Sequence, residues 1–154
     1  MPRGGAEYYV ITDQDMGLEG VPADALQILR EALESFPSIV KAGLQLRLDD
    51  LPDNALTQEA RRQETDFWKR PFTHNGRQWY DANIDMTFAM YRDRPPHGTY
   101  GPAMRLGGEY QARHLSLYLT PETIDAEHRH YLANGKMAGL FYTPIMAEWA
   151  VLPA

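Results

Sequence analysis

From Val40 to Leu48 the chain reads V-K-A-G-L-Q-L-R-L, so that Val40, Ala42, Leu44, Leu46 and Leu48 alternate with Lys41, Gly43, Gln45 and Arg47. A repeat of two is the period of an extended strand, whose successive side chains leave opposite faces. The stretch therefore predicts a strand over residues 40–48 with one buried apolar face and one polar face. A sheet containing it is open or antiparallel in part, because the strands of an all-parallel sheet are covered on both sides. The preceding stretch has a different period. Leu26, Leu29, Leu33 and Phe36 recur at spacings of three and four, Pro22 stands where a helix begins, and Pro37 ends it. That pattern predicts an amphipathic helix over residues 22–36, with Asp24 in its first turn.

The rest of the chain keeps switching between these two periods. Residues 8–12 read as a short buried strand running into the turn-rich "DQDMGLEG". A second helix is expected over residues 57–68, with Glu59, Arg61, Arg62 and Asp66 on its charged face. Residues 79–91 contain an alternating strand, with Ile84, Met86, Phe88 and Met90 set against Asp85, Thr87, Ala89 and Tyr91. "RDRPPHGTYGP" is a loop. Short strands are expected at 104–106 and 110–118 around Gly107-Gly108, then a helix over 121–133 introduced by Thr120 and stopped by Gly135. The last stretch, "MAGLFYTPIMAEWAVLPA", is apolar and ambiguous between strand and helix. Interleaved strands and helices define an α/β (α+β) class, with a mixed sheet and flanking helices. No internal repeat or low-complexity linker divides the chain, so residues 1–154 are read as a single domain.

Composition narrows the function classes. At 154 residues and 44% apolar, the chain can bury one core but not two. A net charge of −6 provides no basic field for nucleic acid or an anionic membrane surface. An anionic ligand would need a cation, or local arginines, to bridge the mismatch. The absence of cysteine excludes disulfides and thiolate metal sites and fits the cytoplasm. No apolar run approaches the ~20 residues of a membrane span, and "MPRGGAEYYV" lacks the apolar core of a signal peptide.

Chemistry concentrates in the carboxylates. Asp13 and Asp15 follow the first strand one residue apart, which puts two hard oxygen ligands on one side of the chain. Magnesium or manganese suits such oxygens, completed by phosphate; a turn in which Asp13 bonds backbone amides is the alternative. "LDDLPD" brings Asp49, Asp50 and Asp53 to the end of the second strand, either as a site or as a turn fixed by Pro52. Asp85 lies mid-strand, where a charge faces solvent, a partner or a site. His114 follows Arg113 in an otherwise apolar strand and could meet a metal or phosphate, or simply be hydrogen-bonded in place. His128 and His130, two apart on a helix, point to different faces and make no joint site. Arg92, Arg94, Arg105 and Arg113 are the candidate phosphate binders. No Walker loop, G-x-G-x-x-G, H-E-x-x-H or nucleophile elbow occurs.

Five blocks in order, "YYVITDQDM", "KAGLQLRLDDLPD", "ETDFWKRPF", "YDANIDMTFAMYR" and "MRLGGEYQARHLSLYL", resemble segments of bacterial family-2-like glycosyltransferases, from about Tyr8 to about Leu132. The resemblance implies part of an A-type α/β domain that moves a sugar from a nucleotide-sugar donor to a carbohydrate acceptor. It implies Asp13 and Asp15 as ligands of Mn2+ or Mg2+, which would neutralise the donor diphosphate. His114 matches the family's Arg-His histidine and, with Arg113, would reach the metal or diphosphate. Asp85 or one of Asp49, Asp50 and Asp53, in blocks the family shares, with Asp85 and Asp50 foremost, would be the general base.

The departures are Gln14 where the family has proline, Gln63 where it has tryptophan before Glu64, and Ser116-Leu117 where it has Pro-Trp. Family members also carry a nucleotide-binding half ahead of the position of Tyr8. The resemblance therefore implies a domain shortened at its start, whose first strand is an exposed edge inviting a second copy. The alternative to an active transferase is a catalytically silent relative acting as a binding or homo-oligomeric module. A metal-dependent phosphohydrolase, resting on acidic clusters alone, is the more distant reading.

Overall fold

The computed structural model describes residues 7–84, 87–92, 101–134 and 148–149. Its strands are β1 (Tyr8–Thr12), β2 (Met16–Gly17), β3 (Lys41–Leu46), β4 (Pro71–His74), β5 (Arg77–Asp81), β6 (Phe88–Arg92) and β7 (Ala103–His114). The helices are α1 (Ala25–Ser35), α2 (Ala55–Glu64) and α3 (Ala126–Asn134), with 3-10 turns at Thr65–Trp68 and Leu115–Tyr118. The strands form one mixed sheet in the order β1-β6-β3-β7-β5-β4, and β2 adds to the far end of β7. The α/β class and the mixed sheet follow the sequence expectation. No helix among the described residues is long and apolar enough to cross a membrane.

Sheet polarity decides what meets what. β6 is antiparallel to both β1 and β3, and β7 is parallel to β3. Strands β1, β3 and β7 therefore run the same way, and their carboxyl ends share one rim. That rim receives the segments after Thr12, after Leu46 and around His114, which carry the acidic pairs and the histidine. Open α/β sheets bind ligands outside the carboxyl ends of their strands.

On one face of the sheet, Ala25, Ile28, Leu29, Ala32 and Leu33 of α1 pack on Ala42, Leu44, Phe88, Met90, Met104 and Leu106. The buried stripe of α1 is rotated from the one expected, since Leu26 is exposed. A second cluster, Leu46, Leu48, Leu51, Leu56, Ala60 and Leu117, gathers around α2. The Asn54 side chain accepts from the Thr57 amide at 3.0 Å while the Thr57 hydroxyl accepts from the Asn54 amide at 3.1 Å. This reciprocal cap starts α2 two residues before the expected position.

Four expectations are corrected. β1 is not buried: it is an edge strand, paired only with β6 among the described residues, with Tyr9 and Val10 each 36% exposed. Tyr9 instead stacks on Tyr91. The polar side of residues 40–48 is not open, because every residue of β3 is buried. Lys41 donates to the Ile84 carbonyl, and Gln45 accepts from Gln111 at 3.5 Å. Gly43 sits on the same side, where a Cβ would come 2.3 Å from the Phe88 carbonyl oxygen. Only glycine lets β6 approach that closely. The strands expected at 104–106 and 110–118 are one strand, β7, which skips residues 107–110 in its register with β3 and ends at His114. Finally, the strand expected within 79–91 is β6 from Phe88 on, and Arg77–Asp81 forms a separate strand, β5, that the pattern did not separate. β5 closes a hairpin with β4 through Asn75-Gly76, both at positive φ (49° and 73°) as a type I′ turn requires.

Candidate metal centre

The acidic pair is carried by a clasp between two distant parts of the chain. The Thr12 hydroxyl donates to the Thr87 carbonyl at 2.9 Å and the Asp13 amide donates to the same oxygen at 3.2 Å, which fixes the end of β1. The chain then turns through Gln14, and β2 pairs antiparallel with the end of β7, Met16 opposite His114 and Gly17 opposite Arg113. The Leu115 amide donates to the Asp15 carbonyl at 2.8 Å. Backbone bonds alone thus bring Asp15 beside His114.

One ligand atom from each of Asp13, Asp15 and His114 lies within 4.8 Å of the others, and all three residues are half-buried. His114 Nε2 is 3.2 Å from Asp15 Oδ2. Ligands on opposite sides of a divalent ion with bonds of about 2.1 Å sit about 4.2 Å apart. Donor atoms that all lie within 4.8 Å of one another are close enough to meet on one such ion. Two carboxylates carry charge that a divalent cation offsets, and with the imidazole this oxygen-rich donor set suits Mn2+ or Mg2+. The residues present fit the ion.

A second polar group borders the same strand end. Arg113 donates to Asp50 Oδ2 through Nε at 2.9 Å and Nη2 at 2.7 Å, and the Tyr118 hydroxyl donates to Oδ1 at 2.5 Å. Arg47 lies 3.2 Å from the same carboxylate and also pairs with Asp49 at 2.8 Å. Burial pushes the Asp50 carboxyl up, but the bonds from Tyr118 and Arg113 and the two guanidinium charges leave it below the usual range. Burial, followed by the bond to Asp50 and its charge, pushes the Tyr118 hydroxyl up. Arg113, expected to face a phosphate, is held by this carboxylate.

The other candidates separate from the centre. Asp53 is exposed and accepts from Gln58 at 3.2 Å. Arg92 donates to the Leu33 carbonyl, and Arg105 is buried against Glu64. His128 pairs with Asp125, while His130 lies beside Asn134 on α3. Asp85, the other general-base candidate, lies outside the described residues, as do Arg94 and His97. Tyr118 is the site residue that sequence reasoning missed: nothing local marks a tyrosine in an apolar run as a carboxylate partner. A cleft of about 530 Å3 along α1, lined by Leu26, Gln27, Arg30, Glu31, Glu34 and Met90, shares no residue with the centre. No protein-family model, curated protein or solved structure matches the chain.

Proposed function

We propose that this chain is a cation-dependent, glycosyltransferase-like domain that uses Asp13, Asp15 and His114 to bind the diphosphate end of a nucleotide-sugar through Mn2+ or Mg2+. The observation that supports it is convergence: two aspartates after β1 and a histidine a hundred residues later form one cluster on the rim shared by the carboxyl ends of β1, β3 and β7. A bound cation would neutralise diphosphate charge and stabilise the leaving group. The residues' own part is to hold that position. The carboxylates attract the cation, the imidazole limits its approach to one side, and the β2–β7 clasp keeps the three donors together. The acceptor is a carbohydrate hydroxyl under this reading, and the cytoplasm is the proposed compartment.

Thermal unfolding with Mn2+ or Mg2+, alone and with nucleoside diphosphates or nucleotide-sugars, tests it. A ligand at a hundred times its Kd should add about 2.7 kcal/mol to stability, with the largest rise when cation and diphosphate are present together. No rise with any combination would refute the proposal.

A second reading, an interaction module that pairs through β1, draws on the exposed Tyr9 and Val10 and on the outer edge of that strand, which pairs with no other strand among the described residues. It expects a dimer in light scattering at micromolar concentration that dissociates when Val10 is changed to lysine. A monomer at that concentration removes it.

A further inference from the structure

His114 is the last residue of β7 and the residue from which the 3-10 turn Leu115–Tyr118 starts. The chain is gripped on both sides of it by one carboxylate. Just before it, Arg113 gives two hydrogen bonds to Asp50 Oδ2; just after it, at the end of the turn, Tyr118 gives one to Oδ1. Arg113 also donates to the Glu19 carbonyl at 3.3 Å, which ties in the segment following β2. Asp50 therefore connects the exit of β3, the end of β7 and the chain leaving the acidic pair.

The grip is firm because Asp50 itself is fixed. Arg61 donates to the carbonyls of Leu48 at 3.4 Å and Leu51 at 2.9 Å, spanning the turn that carries Asp50. The Thr57 hydroxyl holds the Pro52 carbonyl at 2.5 Å. The imidazole, by contrast, is held directly on one side only, where Nε2 lies 3.2 Å from Asp15 Oδ2. Metal-binding histidines usually donate their second ring nitrogen to a carbonyl or carboxylate, yet His114 Nδ1 is buried without a hydrogen-bond partner among the described residues. Neighbouring strand residues leave opposite faces, so the grip on Arg113 acts on the backbone and not on the ring. Apart from the Asp15 contact, orientation of the ring is thereby left to the backbone on either side.

We infer that Asp50 is a positioning residue for the cation site, holding the end of β7 and the following turn in the arrangement that aims His114 at Asp13 and Asp15. The inference rests on that site as the cation centre. It also gives Asp50 a task other than proton abstraction, since both its oxygens are already engaged by donors.

The test uses the full chain with 15N-labelled histidine, first without metal. Asp50→Ala should shift or broaden the ring signals of His114 while those of His74, His128 and His130 stay in place. The Mn2+ dissociation constant should then rise about 10- to 100-fold, as loss of an outer partner does at metal sites. Asp50→Asn keeps an acceptor for Tyr118 but loses the charge that holds Arg113, and should fall between. Should Asp50→Ala not fold, Tyr118→Phe removes a single hydroxyl and is read the same way. Unchanged His114 signals with unchanged Mn2+ affinity in the folded variants would overturn the inference, as would a change spread equally over all the histidines. If the unaltered protein binds no Mn2+, the cation reading fails, and the grip is judged on the metal-free His114 signals alone.

Discussion

Arg105→Ala should lower the unfolding free energy by about 3–5 kcal/mol, the range for breaking one side of a buried ion pair. The guanidinium is 1% exposed and Nη1 lies 2.6 Å from Glu64 Oε2, itself only 12% exposed. Nε donates to the Asn83 carbonyl at 2.7 Å, and the plane sits 4.0 Å from the centre of the Phe67 ring. Alanine would take from the Glu64 carboxylate, in a poorly solvated place, the guanidinium 2.6 Å away, and would remove the donor to the Asn83 carbonyl. Urea unfolding measures the loss. A joint change, Arg105→Met with Glu64→Met, removes both charges and should recover most of it, because burying an ion pair is itself costly. If the double variant is as weak as the single one, the loss comes from Asn83 and Phe67 and not from the Glu64 carboxylate.

Arg105 also illustrates what a linear reading can and cannot find. Alternation located β3 and the apolar half of β6, because period-two patterning is local and survives in any sheet. It could not say that the other face of β3 is covered, since Lys41, Gln45 and Arg105 look like solvent-facing residues until their partners arrive from Ile84, Gln111 and Glu64. Likewise, five uncharged residues at Tyr8–Thr12 suit a central or an edge strand equally, and only strand order distinguishes them. Asn75-Gly76, between Phe72 and Trp79, is a hairpin signal that would have found β4 and β5. The site divides the same way. The spacing of Asp13 and Asp15 is local and was legible, whereas their meeting with His114 depends on β1 and β7 running in the same direction. Asp49, Asp50 and Asp53 are alike in sequence. Arg113 and Tyr118 single out Asp50.

Asp13→Asn should abolish the Mn2+-dependent rise in melting temperature and, in metal-free protein, raise the melting temperature itself. The two effects have one cause. Without a cation, two carboxylates that share a 4.8 Å cluster repel each other, by about 1 kcal/mol where water screens them well and more where it does not. An amide keeps the shape and one acceptor oxygen for the bonds Asp13 itself makes while removing one charge, so about 1 kcal/mol of relief should appear as roughly 2–4 °C in a chain of this size. With the cation, the same change removes an anionic ligand, and the gain of about 2.7 kcal/mol at a hundred times the original Kd should vanish. Opposite signs in the two conditions distinguish a binding site from a structural turn, since a turn residue that bonds its own backbone loses stability in both. His114→Ala is the complementary case: both carboxylates stay, so metal-free stability gains nothing from relieved repulsion while Mn2+ binding still falls. Calorimetric melting of the unaltered protein and both variants, with and without Mn2+, decides the matter. A metal-free loss on Asp13→Asn would mean that the fold, and not a ligand, holds the aspartates together.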